Sequence, residues 1–327
     1  MRDTSLSWQK KLSQGFSTLN DLLEYLELPL STGNLFAEKQ FPSRIPLGFA
    51  RRMQKGNPKD PLLLQVLATE QELQDSQEYE LDPLQERNSN PVKGLIHKYH
   101  GRVLLTLTGI CAVNCRFCFR RHFPYQENNP GRSGYKEICD YIAQDTSITE
   151  VILSGGDPLL ASDLVLSELI QQLEQIPHVH TLRIHTRIPV VFPERIDSGL
   201  LKLLRATTLN KVIILHCNHA QEIDNSVQNV LQKLRKAGCH LLNQSVVLAG
   251  INDDAQTLAS LSQSLFACGV IPYYLHVLDK VKGAMHFDLP FATVQLIYKQ
   301  LQNMLPGYLL PRLVREEPGK LSKTLLI

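Results

Sequence analysis

The sequence predicts an α/β fold, a partial (β/α)6 barrel with an N-terminal mainly helical extension. Six short apolar runs are typical of buried parallel strands: 103–108, 150–154, 181–186, 211–216, 241–248 and 271–276. Amphipathic stretches lie between them, with apolar residues at helical spacing in 166–173 and 227–234. Repeated strand–helix units form parallel sheets, and six units are too few for a closed eight-stranded barrel. A doubly wound sheet is the alternative that this pattern allows.

Three segments are expected along the chain. Residues 1–95 form the mainly helical extension, with short helical patterns at 16–26 and 60–72 separated by Pro and Gly breaks. Residues 96–305 form the (β/α)6 core, and residues 306–327 form a C-terminal segment. The acidic, polar stretch 70–90 has few large apolar side chains, so we expect an exposed connection with little functional content.

Composition excludes several classes of function. The chain has 327 residues, 43% of them hydrophobic, which is enough for a large core. A net charge of +2 without a long basic run does not indicate a nucleic-acid surface. No apolar run approaches the roughly 18 residues of a membrane helix, and no apolar leader is seen. Seven cysteines, an odd number, then suggest reduced thiols in a cytoplasmic protein. Oligomeric state stays open.

The most informative stretch is Cys111-Ala-Val-Asn-Cys115-Arg-Phe-Cys118, which supplies three thiols without a fourth. Closely spaced thiolates favour an iron–sulfur cluster or zinc. Since four cysteines normally saturate a 4Fe–4S cluster, three would leave one iron open to another molecule. The alternative is a Cys3His zinc site, because His122 follows Cys118 by four positions. The four other cysteines stand among apolar residues and are predicted to lie in the core: Cys139, Cys217, Cys239 and Cys268.

Unusual polar residues fall at the ends of the predicted strands, where parallel α/β proteins place their active sites. The cysteine loop follows the first strand, and Ser-Gly-Gly-Asp-Pro at 154–158 follows the second. Polar groups at corresponding places of the later strands lie at 186–189, 216–219, 243–245 and 276–279. The sequence therefore predicts that one face of the barrel collects the functional residues.

Two levels of resemblance follow from these residues. The cysteine loop resembles the signature of the radical S-adenosylmethionine superfamily, which implies the same (β/α)6 fold. The segments 97–105, 119–125 and 243–253 resemble the lysine 2,3-aminomutase family from about His97 to the C-terminus, and within it the bacterial branch that serves elongation factor P. This resemblance implies an isomerase that converts (S)-α-lysine to (R)-β-lysine. It also implies a functional link to elongation factor P and to its lysyl-transferring enzyme.

The resemblance implies three cofactors: a 4Fe–4S cluster, S-adenosylmethionine and pyridoxal 5′-phosphate. It assigns the cluster to Cys111, Cys115 and Cys118. It assigns S-adenosylmethionine to Phe117, Ser154, Gly155, Gly156, Asp157, Asn218 and Gln244. It makes Lys323 the catalytic lysine that holds pyridoxal phosphate, with phosphate contacts from Lys98, Tyr99 and Arg102. It assigns the substrate carboxylate to Arg120 and the substrate ε-ammonium to Asp279 and Glu316.

Several departures and alternatives stay open. Lys320 competes with Lys323, and Leu325 stands where the family usually has proline. Lys98 replaces the arginine of some members, which keeps the charge but loses the bidentate fork. Phe117 is equally well explained as a core residue. A radical S-adenosylmethionine enzyme acting on another amino acid, or on a protein-bound lysine, would keep the cluster and change the roles of Asp279 and Glu316. A zinc-binding interaction module is the alternative of a different class.

Overall fold

The computed structural model describes residues 6–326. One nine-stranded sheet organises the chain, and its strands are β1 (Leu95–Tyr99), β2 (Arg102–Thr108), β3 (Glu150–Gly155), β4 (Thr181–Thr186), β5 (Asn210–His216), β6 (Cys239–Val246), β7 (Ile271–His276), β8 (Arg312–Arg315) and β9 (Thr324–Leu325). Their order across the sheet is their order along the chain. Strands β2 to β8 are parallel, and β1 and β9 pair antiparallel at the two edges. The sheet is open, so the predicted partial barrel is confirmed.

Thirteen α-helices accompany the sheet in residues 6–326: α1 (Trp8–Leu12), α2 (Leu19–Tyr25), α3 (Leu35–Gln40), α4 (Leu47–Ala50), α5 (Pro61–Leu64), α6 (Tyr125–Asn128), α7 (Gly131–Gln144), α8 (Asp163–Glu174), α9 (Ile188–Val191), α10 (Ser198–Ala206), α11 (Asn225–Lys236), α12 (Ala255–Ala267) and α13 (Phe291–Met304). Side-chain N-caps mark where some of these helices begin: Ser162 caps α8, and Asp224 caps α11. Gly238, with φ +82°, follows the end of α11 as predicted. None of these helices is long and apolar enough to cross a membrane.

Alternation along the parallel strands separates two faces of the sheet. Outward-facing Val151, Leu153, Leu182 and Leu215 are completely buried. Residues at the alternate positions, such as Ser154, face inward into a cavity. The outward residues belong to one large apolar core that also includes Leu166 to Leu173 of α8 and Val227 to Leu234 of α11. Burial of this face fixes strand register, because a one-residue slip would turn the apolar side chains toward the cavity.

The six predicted strands correspond to β2 to β7, with ends that differ by at most two residues. Three strands were not predicted. The four residues of β8 and the two of β9 are too short for a hydrophobic pattern, and β1 carries two polar residues of the cavity, Lys98 and Tyr99. The four cysteines predicted for the core are buried, with exposures of 9% or less.

The helix predicted over 60–72 is wrong in its length. Asp60 caps α5 and Pro61 occupies its first turn, but the helix ends at Leu64. The carbonyl of Gln65 then accepts a hydrogen bond from the backbone N–H of Arg116, at 2.9 Å. Because this carbonyl binds the cysteine loop, tertiary contacts override the helical pattern. The pattern over 16–26 is confirmed in part as α2.

The prediction that 70–90 is an exposed connection of little functional content is wrong for its two key acids. Glu72 and Glu86 are only 4% and 3% exposed and both form ion pairs with arginines. The backbone of Glu80 also pairs with Lys280 and Lys282, through N–H···O distances of 3.0 and 2.9 Å. The segment therefore packs against the core. The division of the chain at 95 and 305 stays a prediction.

Candidate active site

A cavity of about 530 Å³ opens at the carboxyl ends of the parallel strands. The structure brings sixteen of the seventeen predicted site residues to its walls: Lys98, Tyr99, Arg102, Cys111, Cys115, Phe117, Cys118, Arg120, Ser154, Gly155, Gly156, Asp157, Gln244, Asp279, Glu316 and Lys323. These residues come from along the whole predicted core and from the C-terminal segment. A cavity that gathers charged and polar groups at this edge of a parallel sheet has the position of an active site.

The N-terminal extension holds the cysteine loop in place. The guanidinium of Arg116, which is completely buried, donates to both carboxylate oxygens of Glu72 at 2.7 and 2.6 Å. Arg44 donates to the backbone carbonyl of Cys111 at 3.2 Å, and its own carbonyl accepts from the N–H of Asn114 at 3.0 Å. Two parallel hydrogen bonds fix the orientation of both side chains. The pair is also costly to break, because losing one partner leaves an uncompensated buried charge. The extension thus takes part in building the site.

The three thiols fit an iron–sulfur cluster better than zinc. Burial, reinforced by the neighbouring thiols, raises the pKa of Cys111 and raises that of Cys118 to about 11, as expected for sulfurs close to one another. A zinc ion needs its ligands gathered within about 2.3 Å of one point. No group of three or more His, Cys, Asp or Glu side chains converges in that way within residues 6–326. A cluster spreads its thiolates over separate irons.

His122 is not available as a fourth ligand. Its Nε2 lies 3.0 Å from the backbone carbonyl oxygen of Lys282, and the ring lies outside the walls of the cavity. The thiol of Cys115 instead accepts a hydrogen bond from Nη1 of Arg187 at 2.7 Å. Arg187, at the end of β4, thus contacts one of the three sulfurs directly. The donor set therefore does not support the Cys3His alternative.

The Gly155–Gly156 pair packs against the start of the cysteine loop. Gly155 has φ +106°, and a Cβ on Gly156 would lie 2.5 Å from the backbone oxygen of Ile110. The N–H of Gly156 donates to the carbonyl of Thr108 at 2.6 Å, and that of Asp157 donates to Ile110 at 2.8 Å. The family resemblance assigns both glycines to S-adenosylmethionine. In the structure, their lack of side chains allows the start of the cysteine loop to pack closely against the end of β3.

Residues assigned to S-adenosylmethionine fall into two groups. Phe117 stacks on His216 with ring centroids 5.6 Å apart, and both line the cavity together with Gln244. Asn218 is completely buried behind the wall, where its amide donates to Gln65 at 3.1 Å. It is the one predicted site residue that does not line the cavity. A direct contact of Asn218 with the cofactor stays a prediction, and its present bonds hold the wall.

Asp157 also has a structural engagement. Its carboxylate accepts hydrogen bonds from the hydroxyl of Thr186 at 2.7 Å and from the backbone N–H groups of Leu159, Arg187 and Ile188. Burial raises the pKa of Asp157 to about 6, although these hydrogen bonds oppose the rise. The side chain therefore ties the end of β3 to the end of β4 beneath the cysteine loop.

At the opposite end of the cavity, Glu316 binds two ammonium groups. Its carboxylate accepts from Nζ of Lys323 at 2.6 Å and from Nζ of Lys98 at 3.0 Å. Burial works to raise the pKa of Glu316, but the two ammonium groups outweigh it and hold the pKa below the ordinary carboxyl value. Tyr99 and Arg102 lie beside this cluster, with the guanidinium 4.8 Å from the phenol ring. Exposed Lys320 does not line the cavity, so the geometry favours Lys323.

Two half-buried histidines on the cavity wall each have one buried ring nitrogen that lacks a partner in the part of the chain that the structure describes. Nε2 of His185 on β4 and Nε2 of His276 on β7 have no hydrogen-bond partner among the described residues. Burial lowers the pKa of both rings, so they are neutral near pH 7. Unpaired buried nitrogens are rare because they cost free energy, and a bound polar molecule would satisfy them. Together with Lys323 and the cations nearby, they fit a phosphorylated, polar ring such as pyridoxal phosphate.

Arg120 is held by a residue that the sequence did not indicate. Its Nε and Nη2 donate to the carboxylate of Glu86 at 2.7 and 2.8 Å, and Nη1 donates to the hydroxyl of Ser154 at 3.1 Å. Lys98 donates to the same carboxylate at 3.2 Å. Two cations with assigned roles thus share one acid.

The carboxyl group of Asp279 faces the cavity. Within residues 6–326, no hydrogen bond or ion pair reaches it. Burial raises the pKa of Asp279 to about 7, with repulsion from Glu316 and Glu86 adding to the rise and Lys323 opposing it. A carboxyl group in this state gains most from a ligand that brings a positive charge.

Sequence reasoning missed Glu86 and His185, and it placed Arg187 and His276 at strand ends without assigning either a role. Glu86 pairs with Arg120, 34 residues away along the chain, and Arg187 with Cys115, 72 residues away. Local sequence spacing therefore could not predict either contact. The histidines left a signal. His185 stands at an inward position of β4, and His276 ends β7, so strand alternation alone would have placed both rings in the cavity.

Comparisons with known proteins agree with this site. The model of the radical SAM superfamily matches residues 105–261, which include the second half of β2, the cysteine loop and β3 to β6. The L-lysine 2,3-aminomutase of Haemophilus influenzae is 47% identical over 98% of this chain and 95% of its own. That of Escherichia coli is 46% identical over 97% and 93%, and that of Clostridium subterminale 34% identical over 97% and 77%.

The fold and the cysteine loop thus define a radical S-adenosylmethionine enzyme. Within that class, the chain belongs to the L-lysine 2,3-aminomutase family, with which it shares 46–47% of its residues over nearly its whole length in two members. Membership makes it an isomerase and implies three cofactors: a 4Fe–4S cluster, S-adenosylmethionine and pyridoxal phosphate.

Proposed function

We propose that this enzyme converts free (S)-α-lysine to (R)-β-lysine, moving the α-amino group to the β-carbon. The observation that carries the proposal is the charge arrangement of the cavity: the guanidinium of Arg120 and the unpaired carboxyl of Asp279 both line it. Lysine carries a carboxylate at one end and an ammonium at the other, so it complements both groups. The identities of 46% and 47% with two L-lysine 2,3-aminomutases support the same substrate.

The residues on the walls provide a place for each cofactor. Cys111, Cys115 and Cys118 would hold the cluster, and Phe117 and Gln244 would lie along S-adenosylmethionine with the glycine pair. Lys323 would bind pyridoxal phosphate, whose phosphate would meet these side chains: Lys98, Tyr99 and Arg102. When bound, the cluster and S-adenosylmethionine supply a carbon radical, and pyridoxal phosphate supplies a ring that stabilises an unpaired electron.

The chain's own contribution is positioning. Arg120 and Asp279 fix the two ends of the substrate, so that one face of its β-carbon can be presented to the cysteine end of the cavity. Apolar Ile152, Val246 and Leu278 line the walls between the charged groups and exclude water. The neutral rings of His185 and His276 bring donor and acceptor nitrogens without adding charge.

A free amino acid fits better than a lysine within a protein. Arg120 is 8% exposed, and a lysine inside a polypeptide has no free carboxylate to offer it. An amino acid without a side-chain cation would leave Asp279 without a partner. Both alternatives therefore leave one buried charge of the cavity unused, which costs binding free energy.

The β-lysine would supply the modification of elongation factor P through a lysyl-transferring enzyme. Support comes from the sequence likeness of 111–116 and 120–125 to the branch of the family that serves this factor. In a strain lacking this enzyme, the complementing gene should restore the mass of β-lysyl-modified elongation factor P, and a Lys323→Ala version should not.

The test compares substrates on one reconstituted protein. With iron, sulfide, pyridoxal phosphate, S-adenosylmethionine and dithionite under anaerobic conditions, (S)-lysine should yield a product whose chiral analysis shows (R)-β-lysine. Norleucine and a lysine-containing peptide should yield no rearranged product. Cleavage of S-adenosylmethionine with lysine unchanged, or turnover of the peptide instead, would contradict the proposal.

A further inference from the structure

Five charged groups form a continuous chain of alternating sign across the cavity. Arg120 pairs with Glu86, Glu86 with Lys98, Lys98 with Glu316, and Glu316 with Lys323. Each contact is a hydrogen-bonded ion pair of 2.6–3.2 Å. Four of the five have roles by family resemblance: Arg120 at the substrate carboxylate, Glu316 at the substrate ε-ammonium, and Lys98 and Lys323 at the phosphate and the aldehyde of the cofactor. Glu86 has none.

Glu86 occupies one edge of the Arg120 guanidinium and leaves another free. The carboxylate takes Nε and Nη2, the side edge of the fork. The end edge, formed by Nη1 and Nη2, keeps N–H groups beyond the single bond from Nη1 to Ser154. An arginine held on one edge by a buried acid presents its other edge in a fixed direction. That edge is the one with donors left for a substrate carboxylate.

The carboxylate of Glu86 is itself fixed. The residue is 3% exposed and begins a 3-10 turn (Glu86–Ser89), and its backbone N–H donates to the side chain of Asp82 at 3.1 Å. The preceding residue, Gln85, has φ +50°, so the chain turns sharply to direct Glu86 inward. Burial acts to raise the pKa of Glu86, but Arg120 outweighs it, and the group carries its charge at neutral pH.

The same segment is attached to the loop that carries Asp279. The backbone of Glu80 pairs with Lys280 and Lys282 on either side of Val281, two residues beyond Asp279. The hydroxyl of Tyr79 donates to Asp288 at 2.7 Å. The stretch 79–86 therefore links the groups assigned to the two ends of lysine.

We propose that Glu86 is a positioning residue for the substrate carboxylate: it orients the free edge of Arg120 toward the cavity and holds Lys98 beside it. This inference rests on the proposed function, since it needs Arg120 to receive a carboxylate. Glu86 acts through Arg120 and Lys98, the two cations that donate to its carboxylate. Its replacement should weaken binding of ligands that carry a carboxylate and leave other ligands little changed.

The test uses the enzyme reconstituted with cluster and pyridoxal phosphate, without S-adenosylmethionine so that no turnover occurs. Dissociation constants of lysine and of cadaverine, which lacks the carboxylate, are measured by calorimetry for wild type and Glu86→Gln. Lysine binding should weaken about tenfold and cadaverine binding should stay within about twofold, because a charge-assisted contact is lost at one end only. Glu78→Gln, on the same segment but exposed and paired with Lys280, is the matched control and should match wild type.

Three results would overturn the proposal. Equal weakening for both ligands would show a general loosening of the site. Tighter lysine binding in Glu86→Gln would show that Glu86 competes with the substrate. Unchanged lysine binding would show that Arg120 needs no support. Wild-type enzyme that does not bind lysine at all would overturn the proposed function, and this inference with it, so the two failures are distinguishable.

Discussion

The Nζ atom of Lys323 lies 2.6 Å from a carboxylate oxygen of Glu316. One contact therefore joins the lysine assigned to pyridoxal phosphate and an acid assigned to the ε-ammonium of the substrate. When Lys323 is bonded to a cofactor, Glu316 loses one of its two cations and can take another. We interpret the pair as one that keeps both charges neutralised until the ligands arrive.

Replacing Glu316 tests this interpretation. Glu316→Gln should weaken lysine binding at least about tenfold, since a buried ion pair with the substrate is lost. Glu317→Gln removes the neighbouring acid, whose carboxylate accepts from the Thr324 hydroxyl, and should bind lysine normally. Calorimetry on the reconstituted proteins compares the two. Equal binding in both variants would remove Glu316 from the substrate site.

Lysine binding should weaken as pH falls through about 7. The pKa of Asp279 is raised to about 7, so its carboxyl becomes protonated below that value and no longer attracts an ammonium group. The ε-ammonium itself stays charged throughout, so the dissociation constant should rise by up to about tenfold per pH unit below pH 7. Asp279→Asn should bind weakly at every pH. A wild-type profile parallel to that of Asp279→Asn would contradict the assignment.

Replacing the carboxyl group of Asp279 should also stabilise the folded protein. A carboxyl whose pKa is higher in the folded protein than in the unfolded chain lowers stability as pH rises from about 4 to 7, and the loss is constant above that. Asp279→Asn should therefore raise the melting temperature of the cofactor-free protein by a few degrees, more at pH 8 than at pH 5. Asp75→Asn, at an exposed pair with Lys282, should not. Destabilisation of Asp279→Asn at pH 8 would mean that the carboxylate is satisfied.

Glycine substitutions test the packing of the cysteine loop separately from the stability of the rest of the fold. Gly156→Ala places a Cβ 2.5 Å from the oxygen of Ile110, so the loop must shift, at a cost of about 1–3 kcal/mol. After anaerobic reconstitution, iron and sulfide contents should fall. Gly307→Ala meets no atom within 4 Å and should retain wild-type iron. Full iron in Gly156→Ala would show that the loop tolerates the shift.

Metal analysis distinguishes cluster from zinc. Cys115→Ala should lose iron and acid-labile sulfide, whereas His122→Ala should keep both, because the imidazole lies against Lys282 outside the cavity. Bound zinc that is lost in both variants would support the Cys3His site instead. Inductively coupled plasma mass spectrometry of both variants settles the choice.

The sequence predicted the parts of the molecule that depend on local pattern. Buried parallel strands need unbroken apolar runs, so β2 to β7 were visible, and strand ends located the site. The prediction of a helix over 60–72 was wrong because the carbonyl of Gln65 accepts a hydrogen bond from the cysteine loop instead of from a helical N–H. The buried positions of Glu72 and Glu86 were not predicted for a related reason. In the sequence, acids in a polar stretch look like solvent-exposed surface residues, and only the fold brings arginines to them. Long-range ion pairs leave no periodicity.

The most direct measurement is β-lysine formation by the reconstituted enzyme and three variants under anaerobic conditions. Wild type and Lys320→Ala should form β-lysine from (S)-lysine, while Cys115→Ala and Lys323→Ala should form none. That result would establish the reaction together with the cluster and pyridoxal phosphate sites. β-Lysine from Lys323→Ala, or S-adenosylmethionine cleavage by wild type without β-lysine, would contradict the account.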